Sequence, residues 1–225
     1  MTDGFDRGAA VTRSLLGYGV IVGAFYLIFG LTLALTREGF DLTEHALSLL
    51  TLGDYGWLQT MNLLLSGIMV VVAAVGFRRA LGDSGAGTKV AYLIGVYGAC
   101  LIASAIFGPD PANDFPTPTA STDPTMSGIL HLAFGAIGFL GLAAAAFIFA
   151  RWLAERGDPG AAGRSRLAAG AIGVTFLAGA ALSAGPVGVL FLWIAVVTGW
   201  AWLAWASLRT YRTVPHPDAE KRLQI

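Results

Sequence analysis

The sequence predicts an all-α fold: a six-transmembrane-helix bundle with a short external amphipathic helix between helices 1 and 2. Three observations predict it. Six apolar runs of about 20 residues recur along the chain, the length at which a helix crosses a hydrocarbon core. Charged residues make up 12% and apolar residues 56%, against about 25% charged in an ordinary soluble domain. So few charges cannot cover a water-facing surface. All but one of the basic residues fall in the termini and alternate inter-run segments, as in a chain that threads a bilayer.

The runs lie at about 14–36, 57–77, 90–107, 127–150, 167–184 and 187–208, in one integral membrane domain spanning 1–225 with a tail at 209–225. They are continuously apolar without period-two alternation, which favours helices over strands. The first, from Leu15 to Leu35, is longer than the apolar core of about 7–15 residues in a cleavable signal. In the first external loop, Asp41 and Glu44 fit a capping box and Gly53 a helix stop. At 100° per residue, Glu44, Ser48 and Thr51 share a face with His45 at its edge, while Ala46, Leu47, Leu49 and Leu50 share the other. This predicts an interfacial helix over about 42–52.

Gln59, Asn62 and Ser66 form a polar stripe at the outer end of helix 2, which should face the bundle interior. Gly108 and Pro109 stop helix 3, and the D-P-A-N-D run that follows lacks the spacing of a calcium loop. His131 is the one histidine inside an apolar run, on the Gly135/Gly138 face of helix 4. Gly19 and Gly23 make a G-x-x-x-G in helix 1, read as bundle packing. The tight hairpin between helices 5 and 6 is Ser183, Ala184, Gly185 and Pro186. Trp193, Trp200, Trp202 and Trp205 on helix 6 read as lipid-facing bulk or interface anchors. Cys100, the single cysteine, reads as a small packing residue.

Thirteen basic residues lie on one side: Arg7 and Arg13, then Arg78, Arg79 and Lys89, then Arg151, Arg156, Arg164 and Arg166, and finally Arg209, Arg212, Lys221 and Arg222. Only Arg37 lies on the other, which carries Glu38, Asp41, Glu44, Asp54, Asp110, Asp114 and Asp123. The positive-inside rule then puts both termini in the cytosol and the acidic loops outside. Arginine outnumbers lysine twelve to two, in a chain rich in Ala and Gly. That composition suits a GC-rich bacterial genome and hence the bacterial cytoplasmic membrane. The scattered arginines flank helices and suit lipid headgroups, not a nucleic-acid surface.

The expected ligand-binding set is Glu44, His45, Ser48, Asn62, Asp110 and His131, converging on a pocket that opens outward. Burying these groups in hydrocarbon without partners would cost several kcal/mol each, so they should meet one another or water. Ser48, Asp110 and His131 are the candidates for a hydrolase triad, and His45, Asp110 and His131 for zinc ligands. Neither set has diagnostic spacing: there is no H-E-x-x-H and no G-x-S-x-G. Phosphate loops and dinucleotide fingerprints are absent as well.

The run H-A-L-S-L-L-T-L-G-D-Y-G-W-L-Q-T-M-N from His45 to Asn62 resembles the signature of the bacterial family called domain of unknown function 998. F-G-P-D-P at Phe107 to Pro111 and G-I-L-H at Gly128 to His131 are similar to that family's second cluster, with Gly108 standing where phenylalanine would directly precede the proline. The resemblance covers about residues 15–210. It implies a six-helix membrane protein and no established activity. A more distant similarity is to transmembrane hydrolases of the alkaline-ceramidase type, which use Ser, Asp and several histidines around zinc. Here helices 5 and 6 lack the paired histidines and His216 lies in the tail. The function expected is binding of a lipid, small ligand or protein partner at the outer face. A metal-dependent or serine-type hydrolase acting on lipid is the alternative, and a small transporter the third.

Overall fold

The computed structural model describes residues 5–82, 85–117, 123–183 and 185–218. Ala184, Lys221 and Arg222 therefore lie outside the described residues. Six helices follow one another: α1 Arg7–Thr36, α2 Gly56–Leu81, α3 Gly85–Ile106, α4 Met126–Ala154, α5 Pro159–Ala181 and α6 Pro186–Thr213. No strand occurs among the described residues. Several helices overrun the apolar runs because a helix continues into the polar interface once its first turn is capped. Asp6 Oδ1 accepts from Ala9 N at 2.9 Å at the start of α1. Asp158 Oδ1 accepts from Ala161 N at 2.8 Å at the start of α5, where Pro159 takes the first helical position. Both are N-caps that satisfy amides the helix itself leaves unpaired.

Each helix packs on its neighbours in sequence, and α6 returns to α1. The result is a closed ring of helices, and its two ends are chemically distinct. Arg13 Nη1 donates to the Val214 carbonyl at 2.6 Å, Arg79 Nε to Thr12 Oγ1 at 3.0 Å, and Arg209 pairs with Asp158. The start of α1 and the ends of α2, α4 and α6 thus share the arginine-rich end. Bonds between the α1–α2 and α3–α4 loops mark the acidic end.

Five of the helices are long and apolar enough to cross a membrane, consistent with a helical membrane bundle. The sixth, α5, is not, which differs from the expectation of six such runs. Its helix begins at Pro159, so Arg164 and Arg166 fall inside it and dilute its apolar length. The outward face is nevertheless apolar on every helix, with Ile28, Ile68, Tyr92, Phe147, Val174 and Val197 exposed. An apolar surface all round the ring is what lipid as solvent requires.

Inside the ring, the arginine-rich half carries the larger apolar core. Leu16, Phe77, Leu142, Phe149 and Leu203 are fully buried there. Trp202 Nε1 donates to Ser165 Oγ at 2.9 Å, and Ser165 Oγ donates to the Ala146 carbonyl at 2.7 Å, tying α6, α5 and α4 together. The tryptophans of α6 are not lipid-facing bulk. Trp200 and Trp202 are buried, because α6 closes the ring and its wide side chains fill the inner seam.

Small residues set the helix spacing. A Cβ on Gly23 would meet Trp200 Cβ at 2.8 Å, so this α1 glycine admits α6. A close crossing is α2 on α3, where a Cβ on Gly67 would lie 2.7 Å from the Gly98 carbonyl and one on Gly98 2.8 Å from the Gly67 carbonyl. Here the obstacle is backbone, so a methyl group forces the helices apart. Gly98→Ala is expected to destabilise the protein by about 1–3 kcal/mol through overpacking. Gly95→Ala, whose added Cβ would find its nearest neighbour at an ordinary 3.7 Å, should be neutral or slightly stabilising. Thermal midpoints of the two variants in one detergent would check this, and equal midpoints would contradict the assigned crossing.

Candidate functional site

The acidic end is closed by two interlocked loops. Residues 41–52 form turns followed by a 3₁₀ helix, Leu47–Thr51, in place of the expected amphipathic α-helix. The capping box does not form. Asp41 Oδ1 turns back to accept from Thr43 N and Thr43 Oγ1, both at 2.7 Å, a local turn that competes with a helical start. These bonds hold the Asp41 carboxyl below its usual pKa. The apolar face is nonetheless docked as expected: Leu47, Leu49 and Leu50 are buried with Ala34 and Phe115 in a small cluster of their own. Gly53 ends the segment at φ +73°, where only glycine sits without strain.

His45, expected at the rim, is buried at 4% exposure. Its Nδ1 accepts from Asp41 N at 2.8 Å, so the proton is on Nε2, which meets the Asn113 carbonyl at 2.7 Å. Asn113 and Asp114 both have positive φ, at 52° and 58°, in a tight turn closed by Ala112 and Phe115. Asn and Asp tolerate that region best among residues with a side chain, and two such residues in succession make a hairpin turn. The turn aims Asn113 at the other loop, where Nδ2 donates to the Glu44 carbonyl at 2.7 Å. Phe40, His45 and Phe115 pack around this joint, Phe40 edge-on to Phe115 and His45 tilted against both. Arg37 Nη2 donates to the Leu52 carbonyl at 2.7 Å, and Trp193 Nε1 reaches from α6 to the Leu42 carbonyl at 3.1 Å.

Asp110 and His131 act at helix ends. Asp110 accepts from Thr125 N at 3.0 Å and from Thr125 Oγ1 at 2.5 Å, while Thr125 Oγ1 caps α4 by accepting from Gly128 N at 3.1 Å. Gly128 leaves room for that carboxylate, which a Cβ there would strike. His131 Nδ1 lies 2.8 Å from the Phe107 carbonyl. A carbonyl only accepts, so Nδ1 carries the proton, and the ring closes the C-terminal end of α3. In the neutral imidazole this leaves the lone pair on Nε2.

Beneath the loops the ring is hollow. A cavity of about 670 Å³ runs from the rim into its acidic half. Its rim carries Glu44, Ser48, Asp110, Asn113 and His131, and its inner walls are Tyr26, Leu63, Tyr97, Phe139, Phe176 and Trp200. Trp200 rests against Tyr26 and Tyr97 with centroids 5.1 and 5.6 Å away, and Phe139 stacks on Phe176 at 4.8 Å. Of the six residues expected to share a pocket, Glu44, Ser48, Asp110 and His131 line this one, and His45 and Asn62 do not. His45 is used up between the two loops. Asn62 does face the ring interior, but its Nδ2 donates to the Tyr26 carbonyl and to Gln59 Oε1, both at 3.1 Å.

A hydrolase triad of Ser48, Asp110 and His131 is not assembled in this geometry, since Asp110 holds Thr125 and His131 Nδ1 holds a backbone carbonyl. The zinc set is not assembled either. Among the described residues no group of three or more His, Cys, Asp or Glu side chains is placed to hold a metal. The aromatic walls carried no signal in the sequence, because each is one ring in a long apolar run.

A family profile described as "Protein of unknown function (DUF998)" matches residues 20–209. The chain belongs to this family. The DUF998 match runs from the fourth turn of α1 nearly to the end of α6, and includes both loops of the acidic end and the residues around the cavity. No match was found among curated proteins or among solved structures.

The joint between the loops predicts a specific weakness. Asn113→Ala loses the bond to Glu44 and puts a Cβ residue without a compensating side chain at positive φ. It should cost about 1–3 kcal/mol and speed amide exchange through 41–52 while leaving the helices protected. Because the folded-state pKa of Asp41 is depressed, its contribution is present above the ordinary carboxylate range of about pH 4 and is lost as pH falls through the lowered value. Protection factors in this loop, taken against the intrinsic exchange rate at each pH, should therefore fall on acidification below about pH 4, and Asp41→Asn should remove that fall.

Proposed function

We propose that this membrane protein binds a lipid-like amphipathic ligand in the outer cavity, its apolar part among the aromatic walls and its polar part at the rim. The observation that carries this reading is the division of the cavity's lining. Tyr26, Phe139, Phe176 and Trp200 stand deep, while Glu44, Ser48, Asp110, Asn113 and His131 stand at the mouth. A volume of about 670 Å³ falls within the range of about 300–1,000 Å³ usual for small-molecule sites, which are likewise mostly apolar with a few placed polar groups. At the mouth, His131 Nε2 offers a lone pair and Ser48 a hydroxyl for a headgroup with donors.

The protein sits in the bacterial cytoplasmic membrane with both termini in the cytosol and the cavity opening to the outer side. This rests on the segregation of thirteen basic residues from Arg37. In a Cys100→Ala background, an impermeant thiol reagent applied to intact cells should label Asp114→Cys and spare Gly85→Cys and Gly160→Cys. The opposite pattern overturns the orientation.

Gly135 provides the test of the cavity. It lines the chamber, and an added Cβ would find nothing nearer than Phe176 Cζ at 4.0 Å. Gly135→Phe should therefore fold and fill the space. Wild-type protein is expected to retain a bound lipid through mild detergent purification, seen by native mass spectrometry, and to bind a fluorescent single-chain lipid analogue. Gly135→Phe should lose both with its thermal midpoint little changed. Equal binding by the two proteins would sink the proposal.

A further inference from the structure

The arginine-rich end holds a second cavity, about 380 Å³ in volume, between the last turns of α4 and α6. Trp152, Arg156, Asp158, Arg209, Thr210 and Arg212 line it. Three arginines against one acid leave it a net charge of +2 (3 − 1). Asp158 is already engaged: it caps α5 and pairs with Arg209, and these bonds, the cap first, hold its carboxyl below the usual pKa. Arg156 lies over the Trp152 ring at 3.7 Å and gives one donor to the Trp152 carbonyl at 3.4 Å. A guanidinium has five donors, so its fork remains available. Two buried polar atoms in the lining residues have no partner in the structure: Trp152 Nε1 and Thr210 Oγ1, on side chains 7% and 1% exposed. An unpaired buried donor is costly and calls for a reason. Two such donors, on side chains that also line a cavity ringed by arginines, point to an absent acceptor with several oxygens.

We propose that this cavity binds the phosphate of an anionic phospholipid in the adjoining leaflet. Arg156 and Arg212 face the phosphate oxygens, and the Trp152 and Thr210 donors take an oxygen at the inner end. Phe149, Leu153 and Thr213 complete the lining. The position at the end of two membrane-length helices favours a lipid phosphate over a free one. The site is separate from the outer cavity, and its test does not depend on it.

Delipidated protein in a neutral detergent would be titrated with short-chain phosphatidylglycerol, short-chain phosphatidylcholine and inorganic phosphate. Intrinsic tryptophan fluorescence and the thermal midpoint would be followed. Phosphatidylglycerol is expected to saturate and to raise the midpoint. An Arg156→Gln/Arg212→Gln double variant should weaken its binding about tenfold or more. Thr210→Val separates a site from a structural residue. Removing an unpaired hydroxyl should leave the empty protein as stable as wild type or more so, yet weaken phosphatidylglycerol binding. Gly135→Phe should bind phosphatidylglycerol like wild type. Three results would overturn the proposal: inorganic phosphate binding as tightly as the lipid, phosphatidylcholine matching phosphatidylglycerol, or affinity unchanged in both the arginine and the Thr210 variants.

Discussion

A helix that ends beside an apolar layer leaves carbonyls and amides that water does not reach freely. In this protein the polar side chains of the acidic end answer that need. His131 serves the carbonyl of Phe107 just past α3, and Ser127 Oγ serves that of Gly108 at 3.0 Å. Asp110 and Thr125 together open α4. Arg37 reaches Leu52, and Trp193 reaches Leu42. With these groups satisfied, the loops rest on the ring as a partial cover, and the space below them opens at its rim.

The cover also depends on a joint between segments far apart in the chain. His45 links Asp41 to Asn113, and Asn113 links back to Glu44. Only a left-handed pair such as Asn113 and Asp114 lets the backbone offer a carbonyl and a side chain to the same neighbour. Glu44 and Asn113 also border the cavity, so the architecture of the cover and the chemistry of the mouth cannot be varied independently. His131 has both roles at once, with Nδ1 committed to structure and Nε2 left with its lone pair.

The two halves of the ring divide the work. The arginine-rich half is filled by large apolar side chains and cross-linked by the Trp202–Ser165–Ala146 chain of bonds. The acidic half is held by its cover and stays hollow. At close crossings such as Gly67 on Gly98 the helices meet backbone to backbone, while the chamber lies beside them in the acidic half.

The helices, their order and the segregation of basic residues were legible in the sequence because each depends only on local composition and on the length of chain needed to cross a bilayer. The inward stripe of Gln59, Asn62 and Ser66 was legible for the same reason, as was the docking of Leu47, Leu49 and Leu50. What the sequence by itself did not decide was which partners the polar groups would find. Asp41 and Glu44 had the spacing of a capping box, yet Thr43 offered Asp41 two nearer donors and the turn prevailed. His45 and His131 looked alike as ionisable candidates. Only the tertiary structure brought Asn113 to the first and the end of α3 to the second. It also turned the α6 tryptophans inward and gathered Tyr26, Tyr97, Phe139, Phe176 and Trp200 into one wall. Ring closure between α1 and α6 is a contact across nearly the whole chain, and no local pattern encodes it.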